Sequence, residues 1–306
     1  NVTKKQLLMK NDVVSLDLIF GDTPRYNFDY YIDKGFYWSI GINSKYNLFN
    51  YKINPSLFST AVEFAGTRKV DVSISDFTNQ FFIETLIKKD LSIKVGLEHK
   101  KLIISSKDNF FNTLLDEDSY VFEDSNFFSL VGGIKFDTFD DKIFPKNGFL
   151  FEGNAQLFFS SLGDNSDFSQ FSYLKLNISK AFNAFDNWSF VLGAQSGVKI
   201  GRANIKSLDF GLGGYGYNNI NNYFSFYGYD FFSVTGDSFT KAYATLDYEF
   251  FKSHHLNLSA NFAKIGDDIF LQNEWLDILS YTGYAAGYGF DTVFGPIELK
   301  YNWSPD

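Results

Sequence analysis

The sequence predicts an all-β fold, a transmembrane antiparallel β-barrel, and three observations carry that reading. The first is alternation in the C-terminal third. Ala242, Ala244, Leu246, Tyr248 and Phe250 alternate with Lys241, Thr245, Asp247 and Glu249. Leu256, Leu258, Ala260 and Phe262 then alternate with Asn257, Ser259 and Asn261, and Ile297, Leu299, Tyr301 and Trp303 with Glu298, Lys300, Asn302 and Ser304. Period-2 runs of about ten residues fit tilted strands that cross a bilayer with one face on lipid and the other on water. The second is aromatic content: 38 Phe and 19 Tyr help bring aromatics to 20% of the 306 residues. Soluble domains are built mainly on smaller aliphatics, whereas a barrel needs bulky lipid-facing side chains and aromatic girdles. The third is that 45% of residues are hydrophobic while the mean hydropathy is only -0.15. No stretch approaches the ~18 consecutive apolar residues of a helical span.

Composition excludes several classes. Cysteine is absent, which rules out a disulfide framework and a Cys-based metal site. A net charge of -9 argues against a nucleic-acid partner. The 5 prolines suit a chain that lies mostly in paired strands. The chain opens at Asn1 without an apolar leader core, so a signal peptide is expected to have been removed or to lie outside this sequence.

Element by element, residues 1–12 are polar and lysine-bearing, and are expected as a lead-in from an upstream domain; residues 13–306 are expected as the barrel. The first strands fall at roughly 13–21, 25–33 and 36–48, the last with Phe36, Trp38, Ile40 and Ile42 on one face. Asp33, Lys34 and Gly35 form a tight turn. Residues 49–67 break the alternation, and Asn54, Pro55 and Ser56 read as a helix start, giving a loop with a short helix. Strands follow at about 69–88 and 90–106, with Leu91, Ile93, Val95 and Leu97 sharing a face, and then a polar, acidic loop at 107–119. Further strands are expected at about 120–140, 148–161, 168–184 and 187–201. The segment 202–238 is rich in Gly, Tyr, Asn and Phe and has no strand period. A loop of that length inside a compact domain is usually functional. Short turns (Asp186–Asn187, Gly295–Pro296) alternate with long loops, the asymmetry of periplasmic and external ends in such barrels. About thirteen strands are visible, whereas single-chain bacterial barrels have even numbers. Because Ser304, Pro305 and Asp306 follow a strand directly, a closing strand is expected to be missing, and 14 or 16 strands are both open.

Two segments go beyond a generic barrel. Asp137, Asp140, Phe144, Pro145 and Gly148 form the pattern D-x-x-D-x-x-x-F-P-x-x-G. Locally, Phe144 and Pro145 end one strand while Asn147 and Gly148 supply the turn that starts the next. The second segment carries Gly213 and Gly214, followed by Phe226, Tyr227, Gly228 and Tyr229. The first pattern resembles the hairpin of the bacterial surface antigen superfamily, the barrels of outer-membrane assembly and two-partner secretion. The second resembles that superfamily's G-G-x(n)-[VI]-R-G-[FY] loop, which implies a long loop folded into the lumen. Tyr227 stands where the family has Arg, so the ion pair of that Arg with luminal acids cannot form as such.

With that departure, the strings Leu246 to Phe251, Gly295 to Pro305 and Gly35 to Gly41 make the chain similar to the C-terminal barrel of patatin-like phospholipases. The resemblance implies an outer-membrane barrel that anchors an N-terminal acyl hydrolase absent from this chain, with export of that domain as an open option. The alternatives are a translocation or insertion barrel of the same superfamily, and a plugged porin-like channel. Implied partners are outer-membrane lipid and lipopolysaccharide, upstream domains of the same polypeptide, and a larger outer-membrane complex.

The chain itself offers no enzyme chemistry and no cofactor site. A nucleophile elbow needs G-x-S-x-G on a strand–turn–helix, and the nearest string, Gly193 to Gly197, has the wrong spacing and lies in an alternating strand. His254 and His255 read as a solvated turn rather than metal ligands, and Asp116 to Asp118 and Asp267–Asp268 as solvated loops. Lys94, Glu98, Glu152, Gln156, Lys175, Asn177, Asp247, Glu249, Glu298 and Lys300 all occupy the polar register of their strands. Mixed charge at that density fits a wetted lumen, because one such charge on the lipid side costs roughly 2–4 kcal/mol at midplane.

Overall fold

The structure is a computed structural model describing residues 2–5, 11–33, 37–54, 69–87, 90–107, 120–163, 168–201, 205–215, 222–292 and 295–305. Ten strands come first: β1 (Val2–Lys5), β2 (Asp12–Ile19), β3 (Arg25–Asp33), β4 (Trp38–Ile53), β5 (Val70–Ile87), β6 (Leu91–Ser106), β7 (Tyr120–Asp137), β8 (Gly148–Gly163), β9 (Phe171–Phe185) and β10 (Trp188–Gly201). Three short strands follow, β11 (Phe210–Leu212), β12 (Tyr223–Phe224) and β13 (Val234–Gly236). The last four are β14 (Ser238–Phe251), β15 (His254–Gly266), β16 (Tyr281–Thr292) and β17 (Gly295–Trp303).

Strands β1 to β10 and β14 to β17 form one 14-stranded sheet in chain order, each pair antiparallel. Among the described residues no pairing joins β1 to β17, so the sheet is open between them. Fourteen strands are present in this sheet among the described residues, and the open sheet is consistent with the expected missing strand. The segment expected as a lead-in contributes β1, which pairs with β2 from Val2↔Leu16 to Lys5↔Val13. Gly295 and Pro296, expected as a turn, are the first residues of β17, paired with Thr292 and Asp291. Lys34 and Gly35 of the first turn, the helix expected after Asn54, and the acidic loop including Asp116 to Asp118 lie outside the described residues.

Connections alternate in length. The antiparallel order puts the β4–β5, β6–β7, β10–β14 and β15–β16 connections at one end of the sheet, and the β5–β6, β7–β8, β9–β10, β14–β15 and β16–β17 connections at the other. By the rule for these barrels the short-turn end is periplasmic and the long-loop end external. Asn187 and Ser253 take φ of 66°, as tight two-residue turns require.

The long wall strands β4, β5 and β6 change phase along their length. On β4 the outward residues run Trp38, Ile40, Ile42 and then Asn50 and Lys52, while the inward ones run Ser39, Asn43, Lys45 and then Phe49, Tyr51 and Ile53. On β5, Val70, Val72 and Ile74 are buried inward, whereas further along Phe81 and Ile83 are exposed outward. On β6, Ile93, Val95 and Leu97 point out, and Leu102 and Ile104 point in. A bilayer needs only about 9–11 tilted residues, yet β4 to β7 have 16 to 18. The strands therefore project past the hydrocarbon at the long-loop end, where the outside is wet and the inside can be dry. The inversion yields two storeys within the lumen, a polar belt toward the short turns and an apolar belt above it.

Candidate functional site

The apolar storey is filled by the 202–237 connection. Ile205, Leu208, Phe210, Leu212, Tyr223, Phe226 and Phe232 from this connection form one cluster with Phe49, Ile53, Val70, Val72, Leu102, Ile104, Phe127, Phe158 and Phe239 of the wall. Burying a large apolar side chain is worth about 1.5–3 kcal/mol, so the connection is a packed plug. It has its own backbone scaffold, in which β11 pairs in parallel with β12 and antiparallel with β13. Sequence periodicity missed these strands because each is only 2 or 3 residues long.

The structure brings the two halves of the loop motif together. Gly214 N–H donates to the Tyr229 carbonyl at 2.7 Å, and Phe226 N–H donates to the Gly214 carbonyl at 3.0 Å. Gly213 has a φ of 138° and Gly214 of 63°, and a Cβ on Gly213 would sit 1.9 Å from the Asp230 carbonyl oxygen. The glycine pair thus cradles the tip that Tyr227, Gly228 and Tyr229 form. That tip reaches the polar belt near the open edge of the sheet. Tyr227 N–H donates to Asn261 Oδ1 at 2.8 Å and Gly228 N–H to Asn302 Oδ1 at 3.0 Å. The Tyr229 ring meets Phe226 and Tyr281. Where the family's Arg would stand, Tyr227 turns its ring toward Lys300 of β17, 5.8 Å from the ring centre, and Tyr215 offers a second face at 5.0 Å. Tyr215 also donates its hydroxyl to Glu298 at 2.5 Å. The cation is on the strand and the aromatic on the loop.

Wall lysines hold the plug from three adjacent strands. Lys175 of β9 donates to Asn222 Oδ1 at 3.0 Å, and Lys199 of β10 to Asp209 at 2.5 Å and to the Ile205 carbonyl at 3.2 Å. Lys241 of β14 donates to the Ser225 carbonyl at 2.8 Å. On the facing wall, Ser207 donates to Glu123 at 2.6 Å. At the external rim Lys206 pairs with Asp267 at 3.0 Å. Partial burial opposes ionisation of Asp267, but its bonds from Lys206 and from the Asp237 N–H outweigh it and hold the carboxyl below the usual range. Beneath the plug lies a cavity of about 410 Å³ lined by Lys45, Lys94, Glu98, Glu152, Gln156 and Lys175, among others. The luminal polar residues expected from the sequence are tied inward: Lys94 to Gln80, Glu98 to Gln156, Asn177 to Glu152, and Lys300 to Glu298.

The second motif closes the short-turn end. Asp140 Oδ1 accepts the N–H groups of Lys146 and Asn147, and Asp141 Oδ1 accepts those of Ile143 and Phe144. Asp137 accepts the Phe139 N–H at 3.1 Å. Gly148 has φ of 125°, and a Cβ there would strike the Thr138 carbonyl at 2.3 Å. Thus fixed, the hairpin sends Phe144 across to β15, where its ring stacks on His255 at 4.0 Å and 4°. Gly289 of β16 leaves room for the ring. Pro145 separates Phe144 from Lys146, which pairs with Glu249 of β14. His255 is therefore not a solvated turn residue: it is 3% exposed and hydrogen-bonded to Asp247 at 2.7 Å. The turn ends at Ser253, and alternation then sends position 255 inward. Among the described residues no His, Asp and Glu cluster could hold a metal ion, and Gly193 to Gly197 lie within β10.

A membrane-length antiparallel barrel with a lipid-facing belt, a wetted lower lumen and a docked internal plug is a plugged outer-membrane barrel. The model of the OMP85 superfamily matches residues 1–306, and the chain belongs to that superfamily, whose barrels reside in the outer membrane. No curated protein matches it in sequence. Among solved structures, BamA from Haemophilus ducreyi lacking POTRA domains 1–3 aligns over 99% of this chain and 63% of its own, at 13% identity and a TM-score of 0.68. CdiB from Acinetobacter baumannii aligns over 95% and 49%, at 12% identity and a TM-score of 0.61. CdiB from Escherichia coli aligns over 99% and 52%, at 12% identity and a TM-score of 0.55. The chain thus spans about half to two-thirds of the length of these relatives.

Proposed function

We propose that this chain is the gated conduit of a polypeptide translocation or insertion protein of the outer membrane. The observation that carries this reading is that the lumen is closed by a separable plug rather than by the wall. The plug has its own small sheet and is held by lysine, tyrosine and asparagine contacts above a cavity lined by charged and polar side chains. The family and the two CdiB and BamA folds support it. Anchoring of a patatin-like acyl hydrolase is the second reading, favoured by Tyr227 in the family's Arg position. In the first reading the hairpin motif, with Phe144 and Pro145, fixes the periplasmic end while the plug moves.

The test locks the plug. Tyr227→Cys with Asn261→Cys in the full-length protein places one thiol on the loop tip and one on β15, whose Asn261 side chain already meets the Tyr227 N–H at 2.8 Å, and this chain adds no competing cysteine. Cells carrying the locked protein are expected to lose a defined set of outer-membrane or surface proteins, with recovery on reduction. An unchanged outer-membrane proteome would refute the conduit, and a change confined to phospholipid acyl composition would favour the anchor.

A further inference from the structure

We propose that the plug is an internal stand-in for cargo, and that the cargo it mimics is an extended polypeptide segment with an acidic residue next to an aromatic one. The proposal rests on the conduit reading above and adds the substrate class. Its basis is the site that Asp209 and Phe210 occupy. Asp209 gives its carboxylate to Lys199, and the two side chains are only 3% and 7% exposed. Phe210 is fully buried between Tyr173 and Phe239, with ring centres 5.3 and 5.2 Å away. The floor of this slot is Gly197, where a Cβ would lie 2.8 Å from Phe210 Cζ. A glycine at an inward wall position, beneath a ring and beside a lysine, makes a socket for one acid–aromatic pair.

The surrounding wall repeats the chemistry. Lys175, Lys199 and Lys241 stand on consecutive strands β9, β10 and β14, and each gives its ammonium to an oxygen of the plug. The inward acids of those strands, Asp247 and Glu249, lie far down β14 and are tied to His255 and Lys146. Removing the plug therefore takes away the plug oxygen that each lysine meets, Asp209 at Lys199 above all, while Lys241 keeps the wall oxygen Gln195 Oε1 at 3.1 Å. A segment that enters is favoured if it replaces those acceptors, and charge-assisted hydrogen bonds are about twice as strong as neutral ones. The plug's own carbonyls at Ile205 and Ser225 show that extended backbone meets part of the demand. The acid is required at Lys199.

The experiment uses the full-length protein in planar bilayers, with residues 205–236 replaced by a short Gly/Ser linker to open the pore. Three peptides on one Gly/Ser backbone are added: one with two Asp-Phe pairs, one with Asn-Phe and one with Lys-Phe. The Asp-Phe peptide is expected to block the current at a concentration at least ~tenfold lower than Asn-Phe, a difference worth about 1.4 kcal/mol. Lys199→Gln should erase that preference, and Gly197→Val should erase the need for Phe. Spontaneous openings of the intact-loop protein, probed with the same peptides, give the same comparison without the deletion. Equal block by all three peptides, or a preference that survives Lys199→Gln, would overturn the inference while leaving the conduit standing. A deletion that folds but conducts no more than the intact protein would remove the conduit and this inference together.

Discussion

Replacing Gly283 with alanine should open the plug while leaving the barrel folded. Gly283 lies within β16, where an alanine by itself gains about 0.5–1 kcal/mol over glycine by restricting the unfolded chain. Here its Cβ would sit 1.9 Å from the Tyr227 carbonyl oxygen and 2.7 Å from Asn261 Nδ2, against an ordinary contact of 3.4–4 Å. The wall is fixed by its ladders to β15 and β17, so the loop tip must retreat. Overpacking of this kind costs about 1–3 kcal/mol. Retreat also breaks the Tyr227–Asn261 and Gly228–Asn302 hydrogen bonds, each worth about 0.5–1.5 kcal/mol net. A combined penalty of roughly 2–6 kcal/mol raises the undocked population by at least roughly 30-fold and at most roughly 20,000-fold.

The assay is open probability in planar bilayers, paired with limited proteolysis of the 202–237 connection and with the temperature at which the folded barrel unfolds on denaturing gels. Gly132→Ala serves as control, since its nearest neighbour would be the Lys94 carbonyl at 4.0 Å. An open probability equal to that of the control, with both barrels equally folded, would refute the placement of the tip against β16.

Three further outcomes follow from the same structure. Phe144→Ala removes a buried ring stacked on His255 and should cost about 3–5 kcal/mol, read as a lower unfolding temperature on gels; an unchanged temperature would show that the hairpin does not brace β15. Leu258→Lys places a charge on an outward position that is 58% exposed, at roughly 2–4 kcal/mol if near midplane, whereas Ser73→Lys on the outward face of the projecting part of β5 should be tolerated; refolding titrations into lipid vesicles decide, and equal costs would contradict the two-storey wall. The depressed carboxyl of Asp267 means that its pairing with Lys206 helps to hold the rim at neutral pH and above the ordinary Asp value of about 3.9. That help is lost only as pH falls through the lower folded-state value. Protease access to the 267–280 connection should therefore be flat from pH 8 to about 5 and rise below about 4, and Asp267→Asn should abolish the rise.

The lower half of this barrel was legible because one residue in two had to meet lipid. Ile297, Leu299 and Tyr301 are all exposed outward as the alternation required, and Glu298 and Lys300 pair inside. Alternation by itself extends the same pattern to the upper half, where the faces are in fact exchanged. Its signal is present nonetheless: apolar residues sit at even positions 70, 72 and 74 of β5 and then at odd positions 77, 81 and 83, with no register shift against β4 or β6. A change of phase without a bulge means that the environment of the two faces has exchanged. His255 was hidden for a related reason, since adjacency to a turn says nothing about which face the next residue takes.

The exchange of faces also explains why the plug is where it is. Above the membrane boundary, a wall wet on its outer face can close over an apolar lumen, and a lumen lined by Phe49, Val72, Ile104, Phe127 and Phe239 would stand exposed to water without an occupant. The plug supplies that occupant through Phe210, Leu212, Tyr223 and Phe226, so its ejection exposes apolar surface on both sides at once. The polar contacts of Lys175, Lys199, Lys241 and Lys300 fix where the plug sits on the wall more than they set its net stability, because water in an open lumen would solvate the same lysines. Their weight falls on the choice of what enters: a segment with aromatic residues to dry the upper storey and acids to meet the lysines can replace the plug at small net cost, and a polar or basic one cannot.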